Sequence, residues 1–299
     1  MRSINHLNTL LVCLDLTDID QYMIEYAAFL SQKLKMGKVI FLHAIQAYDL
    51  PDKSSKNFPD LKTSLSQRIE EEINSVVSSH FKQKIDTNVI TKIEHEDAAN
   101  VIIDFTRKEK VDLTLVGQKY GEDRTGHYGH KIAAEAATDL MFIPEKPELR
   151  VNKILCATDL SKASEEAFER ALDIAKAADT ELMGYYLYDI RKSYFPATTM
   201  RTQRMLEKKI QHRFRKYLAR FDVDPESVPL ELGVNEEFKS QAEKLYETAE
   251  AENADLLIVG ARGRTSVVTT LLGNVTERLR RIEKQIPVMI IKNNKGAGR

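Results

Sequence analysis

The sequence has no tryptophan, only two cysteines, and few glycines (12) and prolines (8) among its 299 residues. Two cysteines cannot form a disulfide framework, and neither has the spacing of a zinc-binding cysteine. The scarcity of glycine and proline excludes collagen-like and low-complexity chains. No apolar run approaches the roughly 18 residues of a membrane-spanning helix, and the N-terminus carries no signal-peptide core. These absences predict a cytoplasmic protein with reduced thiols and no membrane partner.

The chain has almost no net charge, with 44 Lys and Arg against 45 Asp and Glu. It therefore lacks the basic field that is typical of general nucleic-acid-binding proteins, and we do not expect nucleic acid as a partner. Hydrophobic residues at 42% and charged residues at 30% are typical of a globular chain. Because a single domain usually has roughly 100–200 residues, the length predicts two domains.

The two halves of the chain repeat one pattern. NTLLVCLDLTD and NKILCATDLSK each place Asp, Leu and a hydroxyl residue at the end of an apolar run, and Asp15 and Asp159 are 144 residues apart. VDLTLVG and ADLLIVG repeat an Asp, an apolar run and a Gly, and Asp112 and Asp255 are 143 residues apart. Such a constant offset indicates duplication of one structural unit.

Each half alternates apolar strands with amphipathic helices, which predicts a parallel sheet covered on both faces. In the first half, we predict strands at 9–14, 38–45, 86–93, 112–117 and 139–143, and helices at 18–36, 62–82, 97–109 and about 130–138. In the second half, we predict strands at 153–158, 181–188, 228–234, 255–260 and 286–291, and helices at 162–178, 201–221, 236–252 and 274–284. The polar stretches 46–61 and 189–200 are predicted to be surface loops. We therefore predict two tandem α/β domains, 1–147 and 148–299.

A glycine pattern follows the fourth predicted strand of the second half. Gly260, Gly263 and Gly273 form G-x2-G-x9-G. Glycine lets the backbone approach a ligand closely, and a helix that begins at Asn274 would present free amides and a positive dipole end to a phosphate. Arg262 on the same loop can offset phosphate charge. Glycines in such a loop can be plain turns, but three at this spacing after a buried strand favour a phosphate site.

These motifs resemble those of tandem universal stress proteins over nearly the whole of both halves. The ATP-binding members of that family carry G-x2-G-x9-G followed by Ser or Thr, where this chain has Asn274. The resemblance implies two doubly wound five-stranded parallel sheets of strand order 3-2-1-4-5, packed as an intramolecular pseudo-dimer in which strands 140–143 and 288–291 pair. It also implies ATP with magnesium between the ends of strands one and four of the second half. The residues that the resemblance assigns to ATP are Ala157, Thr158, Asp159, Leu187, Gly260, Gly263, Gly273, Asn274, Val275 and Thr276.

The first half departs from this pattern in its glycine loop. Gly117, Gly121 and Gly129 form G-x3-G-x7-G, which is one residue shorter than the loop of the second half. Glu122 and Asp123 bring negative charge to the place where phosphates would lie. We therefore expect a structural first domain with a degenerate phosphate loop and no ATP.

No sequence motif marks a catalytic centre. GxSxG, HExxH and GKS/GKT motifs are absent, so we expect no enzyme, although weak ATPase activity stays open. His127 and His130 have no third ligand at a recognised spacing, and we expect solvated histidines rather than a metal site. Cys13 and Cys156 lie in apolar runs and are predicted to be small buried hydrophobic residues.

The predicted helix 201–221 is strongly basic. Its cationic residues are Arg201, Arg204, Lys208, Lys209, Arg213, Arg215, Lys216 and Arg220. We interpret the helix as a solvated outer face without a shared concavity. An anionic partner is the alternative, which the sparse aromatic residues disfavour for nucleic acid.

Three functional hypotheses follow from the sequence. The first is a stress-response regulator that binds ATP through its second domain. The second is a scaffold that binds no nucleotide and presents a surface to a protein partner. The third is a slow ATPase. Assembly into a homo-oligomer is compatible with each of them.

Overall fold

The computed structural model describes residues 7–46, 59–81, 86–94, 97–119, 126–190, 196–235, 239–261, 274–279, 282 and 285–292. The chain divides into two compact units, one formed by Met1–Leu149 with Glu283–Pro287 and the other by Arg150–Ile282 with Val288–Arg299. In the described part of the chain, no helix is long and apolar enough to cross a membrane.

The first unit contains a parallel five-stranded sheet with helices between the strands. Its strands are β1 (Thr9–Leu14), β2 (Lys38–Gln46), β3 (Asp86–Glu94), β4 (Leu113–Gly117) and β5 (Asp139–Ile143). Its helices are α1 (Ile19–Lys33), α2 (Pro59–His80), α3 (Ala98–Lys108) and α4 (Gly126–Glu135). The strands pair in the order β3-β2-β1-β4-β5, which confirms the predicted order 3-2-1-4-5.

The second unit repeats this arrangement. Its strands are β6 (Lys153–Ala157), β7 (Glu181–Tyr188), β8 (Leu230–Val234), β9 (Leu256–Gly260) and β10 (Val288–Ile291). Its helices are α5 (Lys162–Ala178), α6 (Pro196–Leu218), which continues as a 3-10 turn over Ala219–Phe221, α7 (Gln241–Ala251) and α8 (Asn274–Leu279). The parallel pairs β8-β7, β7-β6, β6-β9 and β9-β10 give the same strand order within this unit.

The last strand of each unit is buried on both faces because nearly all of its positions are apolar. All five residues of β5 and all four residues of β10 are buried. Side chains of this kind stay out of water only when helices cover both faces of the sheet. The fold of each unit therefore leaves the ends of the strands, rather than their faces, as the place for a ligand.

The duplication is visible in the backbone torsion angles. Left-handed residues recur in pairs at Leu16 and Leu160 (φ 60° and 56°), at Lys35 and Asp179 (53° and 52°), and at Lys110 and Asn253 (50° and 53°). The members of these pairs are 144, 144 and 143 residues apart, as in the sequence repeat. Because non-glycine residues rarely adopt positive φ, chance would not produce this register.

Two aspartates tie equivalent strands together in the two units. Asp112 Oδ2 accepts hydrogen bonds from the backbone amides of Asn8 and Thr9 at 2.8 and 2.9 Å. Asp255 Oδ2 accepts bonds from the amides of Asn152 and Lys153 at 2.7 and 3.2 Å. Each carboxylate joins the start of the fourth strand of its unit to the start of the first strand. The Asp that precedes each apolar run in the sequence repeat is therefore a structural residue.

Several helices begin at other residues than the sequence pattern predicts. α6 begins at Pro196 rather than at 201, because proline fits the first turn of a helix, so the end of the predicted loop 189–200 is helical. α2 likewise begins at Pro59, inside the predicted loop 46–61. α7 begins only at Gln241, where Ser240 and Glu243 form a capping box. Of the helix predicted at 274–284, the structure describes Asn274–Leu279 as α8, and Ile282 is not helical.

Candidate functional site

The carboxyl ends of β6 and β9 meet at one edge of the second sheet. The two strands are parallel neighbours in which Ile154 pairs with Leu256 and Cys156 with Ile258. Residues that follow β6 therefore lie beside Gly260, the last residue of β9. This edge is where an open parallel sheet binds ligands, and the structure brings the predicted residues of both strands to it.

Thr158 holds the turn that follows β6. Its side chain is buried, and its hydroxyl accepts a hydrogen bond from the backbone amide of Leu160 at 3.0 Å. The hydroxyls of Thr158 and Ser164 are 3.0 Å apart, and the hydroxyl of Ser164 lies 3.4 Å from that of Tyr217. The Thr158 hydroxyl therefore stabilises the left-handed turn at Leu160 from inside the unit.

Asp159 stands at the N-terminus of α5. Its Oδ1 accepts a hydrogen bond from the backbone amide of Ser161 at 3.0 Å, while Ser161 caps the helix by accepting from the amide of Ser164 at 3.4 Å. Both Asp159 and Ala157 are half-buried. The carboxylate is thus fixed at the sheet edge, next to the positive end of a helix.

Leu187 lies in the next strand, β7, and packs against a glycine of β8. Leu187 pairs with Gly233, and a Cβ atom on Gly233 would lie 3.0 Å from Leu187 Cδ2. The same Cβ atom would lie 2.1 Å from the hydroxyl of the buried Tyr185. The absence of a side chain at Gly233 therefore makes the room that Tyr185 and Leu187 occupy.

Thr276 fixes the start of α8 to the end of β9. Its Oγ1 donates a hydrogen bond to the carbonyl oxygen of Gly260 at 3.0 Å, and the side chain is only 2% exposed. Val275 is half-buried, and Asn274 is the first residue of the helix. The amides at the start of α8 are thereby held at the same edge as Asp159. Arg262, Gly263, Gly273 and the side chain of Asn274 lie outside the described residues.

A model of the Universal stress protein family matches residues 6–142 and again residues 150–292. The chain belongs to the universal stress protein family. A universal stress protein of Methanocaldococcus jannaschii is 27% identical over 143 residues, which are 48% of this chain and 83% of that protein. Tandem duplication of the family domain explains why the relative matches about half of the chain.

Two solved structures show the same fold over almost the whole chain. A universal stress protein from Archaeoglobus fulgidus has a TM-score of 0.66 at 18% identity, covering 96% of this chain and 97% of that one. A functionally unknown protein from Pseudomonas aeruginosa has a TM-score of 0.66 at 16% identity, covering 97% of this chain and 94% of that one. At these identities the likeness shows the fold alone.

The first unit of this universal stress protein carries an ion pair at the equivalent edge. Lys119, two residues beyond β4, places its Nζ 2.6 Å from Asp15 Oδ2, just beyond β1. Thr17 Oγ1 donates to the other oxygen of Asp15 at 2.5 Å. Asp15, which corresponds to Asp159 in the repeat, is therefore already bound by Lys119 and Thr17 of its own unit.

Asp20 closes the turn that follows β1. Its carboxylate accepts hydrogen bonds from the backbone amides of Leu16 at 2.8 Å and Asp15 at 3.2 Å. Burial and the nearby charge of Asp15 raise the pKa of Asp20 to about 6, against the lowering effect of these amide bonds and of Lys119. The first unit thus has a weakly acidic carboxyl group at the place where the second has hydroxyls.

The glycine loop of the first unit also differs from its counterpart. Gly129 is buried inside α4, whereas the sequence pattern predicts a helix that begins only at about 130. A Cβ atom there would meet Phe142 Cε1 at 3.5 Å, an ordinary contact, so Gly129 packs against β5. This tertiary packing overrides the weak helix propensity of glycine. Gly121, Glu122 and Asp123 lie outside the described residues.

The sequence analysis did not single out Lys119 and Asp20 at the strand ends of the first unit, although both have counterparts in the second half. The 143-residue offset makes Lys119 the counterpart of Arg262, and the 144-residue offset makes Asp20 the counterpart of Ser164. Aligning the two halves position by position would have singled out Lys119 and Asp20. Nothing in the sequence signals Tyr217, because it comes from a distant helix and reaches Ser164 only in the folded unit.

Of the cysteines and histidines singled out in the sequence, the side chains of Cys13, Cys156 and His130 lie among the described residues. Cys156 is fully buried, as predicted, and Cys13 is half-buried. Burial and the charge of Asp20 raise the pKa of the Cys13 thiol to about 12, so it is no nucleophile at neutral pH. His130 lies exposed on α4, and the described residues contain no cluster of three groups that could hold a metal ion. The side chain of His127 lies outside the described residues.

Proposed function

We propose that this universal stress protein is a stress-response regulator that binds ATP with magnesium at the carboxyl edge of its second unit. The observation that carries the proposal is the hydrogen bond from Thr276 to Gly260, because it holds α8 at the end of β9 within the G-x2-G-x9-G pattern. The pattern supplies glycines where phosphates would need close backbone approach. Asp159 follows the neighbouring strand β6, and its carboxylate is fixed at the same edge by the amide of Ser161.

Each part of the nucleotide would meet a different set of groups. The phosphates would lie against the amides at the start of α8 and beside Arg262, which offsets their charge. The adenine would lie near Leu187, and the ribose hydroxyls would face the carboxylate of Asp159. Magnesium prefers phosphate and water oxygens with few protein ligands, so most of its ligands would come from the nucleotide and from water.

The first unit is proposed to bind no ATP. The ion pair of Lys119 with Asp15 spans the ends of β4 and β1, where the nucleotide would lie. A ligand would have to break this contact, which is 2.6 Å long, and leave Asp15 without its cation. Glu122 and Asp123 add negative charge in the loop that follows. The first unit therefore has a structural role.

Calorimetric titration of the full chain with MgATP tests both statements. We expect one site per chain. Gly273→Val should crowd the start of α8 and weaken ATP by about 1–3 kcal/mol, the scale of lost charge-assisted hydrogen bonds. Gly129→Ala is the matched control, since a methyl group fits at that position and the affinity should not change.

Each other outcome of the titration selects another hypothesis. Two equivalent sites would contradict the structural role of the first unit. No binding at millimolar MgATP would replace the regulator by the scaffold hypothesis. Release of inorganic phosphate by the wild-type protein, lost in Gly273→Val, would show a slow ATPase, whereas we expect no turnover.

A further inference from the structure

Helix α6 has one buried stripe and one broad solvent-facing surface. Ile210, Phe214 and Tyr217 are buried, and the ring of Phe168 on α5 lies 5.7 Å from that of Phe214 and 5.4 Å from that of Tyr217. These edge-on aromatic contacts hold α6 firmly on its unit. The opposite surface is therefore presented on a rigid element.

The charged residues of α6 are almost all cationic. The helix carries seven Lys and Arg residues and a single acid, Glu207. The Glu207 carboxylate accepts hydrogen bonds from the Tyr188 hydroxyl at 2.6 Å and from Gln203 Nε2 at 2.9 Å. These bonds lower the pKa of Glu207, so the carboxylate stays ionised. Its Oε1 oxygen is already hydrogen-bonded to Tyr188 and Gln203 of the same unit. Within the described residues, Arg201 and Lys208 form no ion pair.

Two adjoining grooves run along this surface, so the expectation of no shared concavity is wrong. The first has a volume of about 340 Å³ and is lined by Met200, Arg201, Arg204, Met205 and Lys208. The second has a volume of about 470 Å³ and shares Arg204 and Lys208 with the first, and its lining includes Arg215, the acid Glu207 and Leu232. From Met200 to Arg215 the helix rises roughly 22 Å, which matches about seven residues of extended peptide.

The first groove combines charge with exposed apolar surface. Met200 is 56% exposed and Met205 is 66% exposed, and both stand among the cations. Methionine and arginine are enriched at protein interfaces, and methionine adapts to varied apolar partners. The two methionines therefore add apolar surface to a groove whose charged lining is cationic.

We propose that the grooves of α6 bind an acidic peptide segment of a partner protein, with an apolar side chain placed against Met200 and Met205. Carboxylates of the segment would pair with Arg201, Arg204 and Lys208. Charge complementarity selects an anionic partner, and the methionines select one with apolar side chains. The residues that line this surface are distinct from those named for the proposed nucleotide site.

Two other anionic partners fit the surface less well. Nucleic acid in single strands stacks its bases on aromatic side chains, whereas the aromatic residues of α6 are buried in the unit. A membrane surface requires an apolar helix face with Leu, Phe or Trp, and that face of α6 packs against its own unit. Both remain outcomes of the experiment.

Fluorescence anisotropy with a labelled peptide of repeated Glu-Glu-Leu tests the proposal on the full chain. Arg201→Gln, Arg204→Gln and Lys208→Gln combined should weaken binding about tenfold, since three groove cations are lost. The matched control combines Lys209→Gln, Arg213→Gln and Lys216→Gln, which removes the same charge from exposed positions of the same helix that line neither groove. We expect the control to bind nearly as the wild type does.

A second comparison isolates the apolar contact. The peptide with Leu replaced by Ser should bind several-fold more weakly, and Met200→Ser with Met205→Ser should abolish the difference between the two peptides. Circular dichroism confirms that each variant is folded. Equal weakening by both triple variants, tighter binding of a DNA duplex, tighter binding of phosphatidylserine vesicles, or no binding of the peptide by the wild type would each overturn the proposal.

Discussion

Asp20 and Ser164 stand at equivalent positions of the two units and support the same left-handed turn with different chemistry. In the first unit the carboxylate of Asp20 accepts directly from the backbone amide of Leu16 at 2.8 Å. In the second, Thr158 accepts from Leu160 at 3.0 Å, and the hydroxyl of Ser164 lies 3.0 Å from that of Thr158. The turn of the first unit therefore depends on a titratable group, and the turn of the second does not.

Asp20 should make the first unit less stable as the pH rises. Burial raises its pKa from 3.8 to about 6 in the folded protein, so the folded state holds the proton more tightly than the unfolded chain. Its contribution to the free energy of unfolding is then largest below about pH 4 and falls as the pH rises through about 6. The full difference is on the order of 3 kcal/mol as an upper limit, because solvent near this half-buried group reduces it.

Asp20→Asn isolates this contribution, because the amide oxygen can still accept from the backbone and does not titrate. Urea unfolding of both proteins between roughly pH 4 and pH 7 should show the wild type losing stability relative to the variant. A pH titration followed by carbon NMR of the Asp20 carboxyl group measures its pKa independently. Titration of Asp20 at its ordinary 3.8 would contradict the prediction.

The α/β fold class was predictable from the sequence because the runs that form the strands are mostly apolar and alternate with amphipathic helices. Buried strands such as β5 need helices on both faces, and the repeat indicated that the two units share one fold. The strand order itself was implied by the family resemblance and is confirmed by the structure. The helix starts were less predictable because local chemistry decides them. Pro59 and Pro196 lie in polar stretches typical of loops, yet each begins a helix.

The candidate site was predictable only where glycine and the repeat mark it. Gly260 and Thr276 belong to one loop pattern, and the structure joins them by a hydrogen bond. The bond between Lys119 and Asp15 joins residues 104 positions apart and depends on side-chain reach. The repeat marks Lys119 as the counterpart of Arg262, but its pairing with Asp15 follows only from the folded geometry.

Thr276→Val should weaken ATP binding as well as stability. The variant keeps the volume of the side chain but removes the hydrogen bond to Gly260, so the start of α8 loses its attachment to β9. We expect a loss of about 1 kcal/mol in the free energy of unfolding and a severalfold loss of ATP affinity.

Thr106→Val is the matched control for that variant. Thr106 is 3% exposed and donates to the carbonyl oxygen of Ile103 at 2.7 Å in the first unit. It should lose similar stability in thermal unfolding without any change in calorimetric ATP affinity. If both variants lose ATP affinity equally, α8 has no specific role in binding.

Asp255→Ala should destabilise the second unit more than ordinary surface substitutions do. The carboxylate is 5% exposed and accepts from the amides of Asn152 and Lys153, besides pairing with Arg150 at 2.5 Å. Its removal leaves these donors without an acceptor and should cost about 1–3 kcal/mol. Lys176→Ala, an exposed position of α5, serves as the comparison in urea unfolding. A change within about 0.5 kcal/mol for both variants would show that water replaces the carboxylate.

Gly233→Ala should damage the adenine side of the proposed site. The new methyl group would lie 2.1 Å from the hydroxyl of Tyr185 and 3.0 Å from Leu187 Cδ2, so both side chains must shift. Tyr185 is 2% exposed and its hydroxyl accepts a bond from Thr248 at 3.1 Å, which leaves it little freedom to move. We expect a loss of about 1–3 kcal/mol in stability and a weaker ATP affinity.

The added variant Tyr185→Phe removes the hydroxyl that the new methyl group meets, so Gly233→Ala with Tyr185→Phe should regain part of the lost stability. Gly129→Ala controls for glycine substitution itself, since its methyl group meets Phe142 at an ordinary 3.5 Å and lies in a helix that favours alanine. Stability is measured by thermal unfolding and ATP affinity by calorimetric titration. Both are measured for the wild type, Gly233→Ala, Tyr185→Phe, the double variant and Gly129→Ala. A Gly233→Ala protein as stable as the wild type would show that β7 and β8 separate easily at this point, and Leu187 would then not be held in place for the nucleotide.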